Sequence, residues 1–165
     1  MRHAEAAPIG GTVRSDADRP LTSRGEEDAI AMGRTLGRLD QDIGTVLTST
    51  LIRAKRTGEC LVGAMNGSPD VRVTPLMNPG FDHEMLLEEA TLAAGNVVVV
   101  GHQPDVGMLV SYLTADPTRR VFAMPPGSVV ALHRETERIP FHIEWCLTPE
   151  VLRATAEIST AGVHR

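Results

Sequence analysis

Two arginines and two histidines carry the most legible chemistry in this chain. Arg2-His3-Ala4-Glu5 opens it, Arg53 lies in the stretch from Ser49 to Thr57, and Gly101-His102-Gln103-Pro104 follows later. The second and third segments come directly after short aliphatic runs, Thr45 to Thr48 and Val97 to Val100. In an open α/β sheet, ligands bind at the carboxyl ends of strands, beside helix N-termini. A guanidinium and an imidazole at that edge describe an anion pocket. Phosphate suits it: a transferring phosphoryl group spreads charge over three equatorial oxygens. Arginine forks hold two such oxygens at once and remain charged at any working pH. A neutral imidazole is a nucleophile near pH 7, where a serine hydroxyl would need a separate base. Arg2, Arg53, His3 and His102 therefore suit covalent phosphoryl transfer without a metal, and no carboxylates cluster with metal-ligand spacing. These residues alone do not choose between His3 and His102 as nucleophile.

The elements that must position these residues read as α/β, because short aliphatic runs alternate with amphipathic stretches. Thr22 is expected to cap a helix with Ala29, Ile30, Met32, Gly33, Leu36 and Leu39 at helical spacing, stopped by Gly44. Thr45–Thr48 reads as a strand, 51–64 as a helix broken by Asn66-Gly67-Ser68-Pro69, and Val71–Val73 as a strand. Asp82–Ala93 reads as an acidic helix. Val97–Val100 reads as a strand buried on both faces. Pro104 suits the first turn of a helix reaching Leu113. Ser128–His133 and Phe141–Leu147 alternate as an antiparallel pair with Glu137-Arg138 near the turn, and Pro149–Ala156 is a last helix. Helices on both sides of a mixed, mostly parallel sheet are the expected three-layer α/β/α packing.

The chain has 165 residues, which fits one domain spanning 1–165. With 21 acidic and 16 basic residues it lacks the electrostatic footprint of a nucleic-acid binder. Lys55 is the only lysine, a bias that codon usage explains. Cys60 and Cys146 form no disulfide framework and read as buried thiols. The N-terminus is polar within three residues, and no aliphatic run approaches membrane-spanning length, so a cytoplasmic protein with no membrane partner is expected. His83, His133, His142 and His164 share no ligand spacing and read as surface or core residues.

Taken together, the motifs resemble the histidine phosphatase superfamily, and within it the SixA-like phosphohistidine phosphatases. Arg2-His3-Ala4 resembles the Arg-His-Gly/Ala signature, and Arg19-Pro20-Leu21-Thr22 with Gly25 the next block. Ser49, Arg53-Ala54 and Thr57 resemble Ser-x-x-x-Arg-Ala-x-x-Thr, and Gly101-His102-Gln103-Pro104 resembles Gly-His-x-Pro. Trp145-x-Leu147-x-Pro149 is similar to the end of short members. The resemblance runs from Arg2 to about Leu152. It implies a phosphoglycerate mutase-like fold, no cofactor, and His3 as the nucleophile that becomes phosphorylated. It further implies that Arg2, Arg53 and His102 hold the phosphoryl oxygens, with Arg19 and Gly101 as substrate-binding positions. Larger relatives carry a leaving-group acid between the second and third motifs, where Asp82 and Glu84 are the candidates here. Relatives also place an aliphatic strand before Arg-His. Only Met1 stands there, so the first strand is expected to be missing, through an upstream true start or a degraded sheet.

Three functions follow as expectations. The first is a phosphohistidine phosphatase acting on a phosphorylated protein, since a shallow pocket admits a protein side chain and a protonated imidazole leaves without a strong acid. The second is a phosphatase for small phosphomonoesters. The third is a catalytically impaired phosphate-binding module, because a nucleophile on a fraying terminus is poorly aimed.

Overall fold

The computed structural model describes residues 1–39, 41–116, 121–136 and 138–161. Its elements follow the sequence pattern. Helix α1 (Ser23–Arg38) starts where the Thr22 hydroxyl accepts from the Gly25 N–H, and it buries Ala29, Met32, Gly33 and Leu36. Strand β1 (Ile43–Thr48) leads into α2 (Ile52–Gly63), followed by β2 (Asp70–Val73) and a single 3₁₀ turn at Pro75–Met77. Then come α3 (His83–Thr91), β3 (Asn96–Val100), α4 (Asp105–Leu113), β4 (Val129–His133), β5 (His142–Leu147) and α5 (Pro149–Ala161). Helix α1 ends at Leu39, before Gly44, which instead lies in β1. A Cβ on Gly44 would meet the Ala94 carbonyl oxygen at 2.1 Å, so glycine serves close strand packing there. Glu137 and His164 lie outside the described residues.

Strands β2-β1-β3 form a parallel sheet, and β4-β5 an antiparallel pair. Alternation along the strands sends neighbouring residues to opposite layers. Val46 and Val98 face a cluster with Met32, Leu36, Ala54 and Leu61 from α1 and α2, joined by Leu152 of α5. Leu47, Val97 and Val99 face a second cluster with Leu86 of α3 and Val106, Leu109 and Val110 of α4. The result is the expected three-layer α/β/α packing. Gly33 lets α1 and α2 approach closely, since a Cβ there would lie 2.2 Å from the Leu61 carbonyl oxygen. Cys60 is buried, whereas Cys146 is exposed, contrary to expectation.

No described strand precedes Arg2. Residues 1–3 nevertheless run between the two sheets. Arg2 bridges Gly101 in parallel, and the Arg2 N–H donates to the Ser128 carbonyl at 3.1 Å. The Gly101 N–H donates to the Met1 carbonyl at 3.1 Å, and the Met1 terminal nitrogen donates to the Val99 carbonyl at 2.8 Å. Further along β3 the sheets are not joined, and a groove of about 460 Å³ opens there, lined by Val97 to Val99, Val129 to Leu132 and apolar side chains of the flanking helices. This accounts for a departure from expectation: only Val100 of β3 is fully buried, and Val97 to Val99 are half-buried beside the groove.

Candidate active site

Three segments converge at the carboxyl ends of adjacent strands. Residues 1–3 lie along the end of β3, the loop after β1 enters α2, and the loop after β3 enters α4. Arg2, His3, Arg53 and His102 line one pocket of about 400 Å³, together with Glu5, Ala6, Asp16, Arg19, Pro79, Gln103 and Pro126.

The backbone around His3 is held on three sides. Its N–H donates to the Gly101 carbonyl at 2.9 Å, and its own carbonyl accepts from the Gly127 N–H at 3.0 Å. The next N–H, that of Ala4, donates to the Thr57 hydroxyl at 3.0 Å, and that hydroxyl donates to the Arg53 carbonyl at 2.7 Å. Thr57 thus couples the histidine segment to the helix that carries Arg53. Ser49 shapes the start of the same helix: its hydroxyl donates to the Asn78 side-chain oxygen at 2.8 Å and accepts from the Leu51 N–H at 3.2 Å.

The His3 ring is buried, and its Nδ1 lies 2.8 Å from the Ala4 carbonyl. A carbonyl only accepts, so Nδ1 carries the proton and Nε2 the lone pair. Nε2 faces Arg53, whose Nε donates to it at 3.2 Å. The His102 ring stands 5.2 Å away, centroid to centroid. Both His102 ring nitrogens and the Arg2 Nε are buried without a hydrogen-bond partner among the described residues. Buried polar atoms of this kind are rare outside functional sites, and an oxyanion in the pocket would accept from the Arg2 Nε–H and from the one His102 ring nitrogen that carries a proton. Arg2 is fixed at its other end, where Nη1 donates to the Met124 carbonyl at 2.8 Å.

Electrostatics match this geometry. Burial pushes the His3 pKa down to about 3, against the raising effect of the Ala4 carbonyl and with help from His102 and the two arginines. Burial, then Arg53, pushes His102 down to about 4. Both rings are neutral at pH 7, inside a pocket whose fixed charge is cationic. Such a site can bind a phosphoryl group and attack it with an imidazole lone pair.

The remaining expected positions divide. Arg19 lines the pocket, with Nε donating to the Ala7 carbonyl at 2.6 Å and Nη1 to Asp16 at 3.1 Å. Gly101 does not line it. It pairs with residues 1–3, and a Cβ there would lie 2.7 Å from the Met77 side chain, so its contribution is to packing. Asp82 and Glu84 are not brought to the pocket. The Asp82 carboxylate caps α3, accepting from the Glu84 and Met85 N–H groups at 2.8 and 3.1 Å. The acids that do line the pocket, Glu5 and Asp16, come from the amino-terminal segment. Glu5 accepts from the Thr22 hydroxyl at 2.8 Å. Asp16 had one readable signal, its position three residues before Arg19, but nothing local ties it to Arg53.

Comparison with known proteins agrees with this architecture. The sequence profile of the histidine phosphatase superfamily (branch 1) matches residues 1–78. The phosphohistidine phosphatase SixA of Escherichia coli K12 is 31% identical over 136 residues, covering 80% of this chain and 83% of that protein. The structure of the protein histidine phosphatase SixA complexed with tungstate superposes with a TM-score of 0.78 at 27% identity, covering 92% of this chain and 96% of that one. The alpha-ribazole phosphatase of Shigella flexneri shares the fold, with a TM-score of 0.61 at 19% identity, over 87% of this chain and 93% of that one. The chain belongs to the histidine phosphatase superfamily and is a phosphatase of that group.

Proposed function

We propose that this phosphatase hydrolyses phosphohistidine on a protein substrate through a phospho-His3 intermediate. The observation that carries the proposal is the His3 tautomer. Nδ1 is committed to the Ala4 carbonyl, so Nε2 carries the lone pair, on the side where Arg53 Nε donates to it at 3.2 Å. In this reading His3 Nε2 attacks phosphorus, the Nε2–P bond forms, and the P–N bond of the substrate breaks. Arg2, Arg53 and His102 hold the phosphoryl oxygens, and Arg19 borders the same pocket. Water then attacks phospho-His3, the Nε2–P bond breaks, and phosphate leaves. The three backbone hydrogen bonds around His3 and Ala4 favour a working nucleophile over an impaired binding module, because they hold it away from a fraying end.

The Escherichia coli SixA is named for phosphohistidine, and a solved protein histidine phosphatase SixA is complexed with tungstate, an oxyanion. The pocket's own acids argue the same way against small phosphomonoesters. Asp16 is held ionised by two arginines, and Glu5 is engaged by Thr22, so an alkoxide would leave without a ready proton donor. Labelling with a phosphoramidate donor tests the mechanism. Wild type should accumulate an acid-labile phosphoenzyme, and His3→Ala should form none. Equal labelling of both proteins would remove His3 from the reaction.

A further inference from the structure

Asp16 holds a place in the pocket that no step above uses. It sits on the segment between Ala7 and Arg19, and its side chain is 56% exposed at the pocket mouth. One carboxylate oxygen accepts from Arg19 at 3.1 Å and the other from Arg53 at 2.9 Å, while its main-chain carbonyl accepts from Arg53 Nη1 at 2.6 Å. The Arg19 hydrogen bond, then Arg53, lowers its pKa, although partial burial opposes this. Asp16 is therefore a carboxylate and not an acid. Each oxygen has a second lone pair, and more than half of the side chain is open to an approaching donor.

The position matters because of how a phosphoryl group must lie. His3 Nε2 attacks from the buried end, so the leaving group departs towards the mouth, in line with attack. For phosphohistidine the leaving group is an imidazole ring with two nitrogens. One is bonded to phosphorus, and the other carries a proton in the reactive, cationic form. When the P–N bond breaks, its electron pair returns to the first nitrogen and a neutral imidazole leaves with the proton already on the second. No external acid is consumed.

We propose that Asp16 is a specificity-determining residue that accepts a hydrogen bond from the distal N–H of the substrate's phosphoimidazole ring. It thereby holds that ring in its protonated form as it leaves. The idea rests on the phosphohistidine reading above and deepens it. An acid-poor pocket and a fixed carboxylate at the mouth then become one device. It favours cationic nitrogen leaving groups and disfavours alkoxides, which offer no N–H and need a proton.

The test compares wild type, Asp16→Asn and Asp16→Glu on N-phosphoimidazole and on p-nitrophenyl phosphate. A hydrogen bond to a charged group contributes enough that its loss should lower kcat/KM by about tenfold or more. The expected result is a fall of that size in the ratio of the two kcat/KM values for Asp16→Asn, with partial recovery in Asp16→Glu. Thermal unfolding of the variants accounts for any loss of folded protein. A parallel fall on both substrates would make Asp16 merely a positioning residue for Arg53 and would overturn the proposal. A rise on both would make it a competitor for the arginines, with the same consequence. If wild type cleaves the aryl ester but not phosphoimidazole, the phosphohistidine reading itself fails, which is a separate result.

Discussion

At His3 two neighbours give the ring nitrogens opposite tasks: a carbonyl fixes the proton on Nδ1, and Arg53 marks the side where Nε2 is presented. Burial keeps the ring neutral far below the ordinary histidine range, and it does the same for His102. Because the proposed nucleophile is unprotonated near neutrality, the expected profile is distinctive. Between pH 5 and 8, kcat/KM should show no titration of either ring near 6.5, the ordinary histidine value, and should follow the ionisation of the substrate instead. A limb near that value that disappears in His102→Gln would show that the rings do charge in the free enzyme. The four motif residues were legible from type and spacing. The choice of His3 over His102 was not; it rests on the family resemblance, and what the fold adds is the ring nitrogen that meets a carbonyl, which the local backbone path sets.

Among the elements, the junction between the two sheets is the most consequential. Met1 to His3 stitch β3 to β4 at the end that holds the pocket, and the groove beyond them is walled by strand edges and apolar side chains. An extended apolar segment matches such walls, since free backbone groups and half-buried valines are what a strand pairs and covers. Joining five alternating β-branched residues to Met1 should therefore raise the melting temperature. The inward side chains gain burial, and the edge hydrogen bonds they bring with them help to offset the entropy of ordering the added backbone. A net gain near 1–2 kcal/mol corresponds to a rise of roughly 2–8 °C for a chain of this size. A Gly/Ser extension of equal length is the control. If both extensions give the same melting temperature, the groove does not seat a strand. The strand-like reading of Val97–Val100 was correct, yet its expected burial was not: β-branching reports a strand, but burial of its outer edge depends on what packs there, and the groove leaves it half open.

Over the whole molecule, three buried bases link stability to pH. Burial lowers the Met1 terminal amine from 8.0 to about 5, with Cys146 acting weakly in the other direction. It lowers His3 from 6.5 to about 3 and His102 from 6.5 to about 4. In each window the unfolded chain binds the proton and the folded chain does not, so stability rises with pH. The melting temperature should climb from pH 4 to pH 8. The part below 6.5 should become shallower in His102→Gln, with His3 and the amine still contributing. The part between 6.5 and 8 should flatten when Met1 is joined to a preceding residue, since an amide replaces the amine. A melting temperature that stays level across this range would mean that these groups are solvated in the folded state.

The sequence by itself determined the order of elements, the two apolar layers, and four of the residues that meet in the pocket. Those properties reside in local periodicity and in side-chain type at strand ends, and both survive without coordinates. Tertiary structure alone decided that Asp82 and Glu84 stay at the start of α3, and that Asp16 crosses to Arg53. It also decided that Gly101 serves packing and that His3 presents Nε2. Each of these depends on contacts between residues distant in the chain or on the exact course of the backbone, and neither leaves a periodic trace in the sequence.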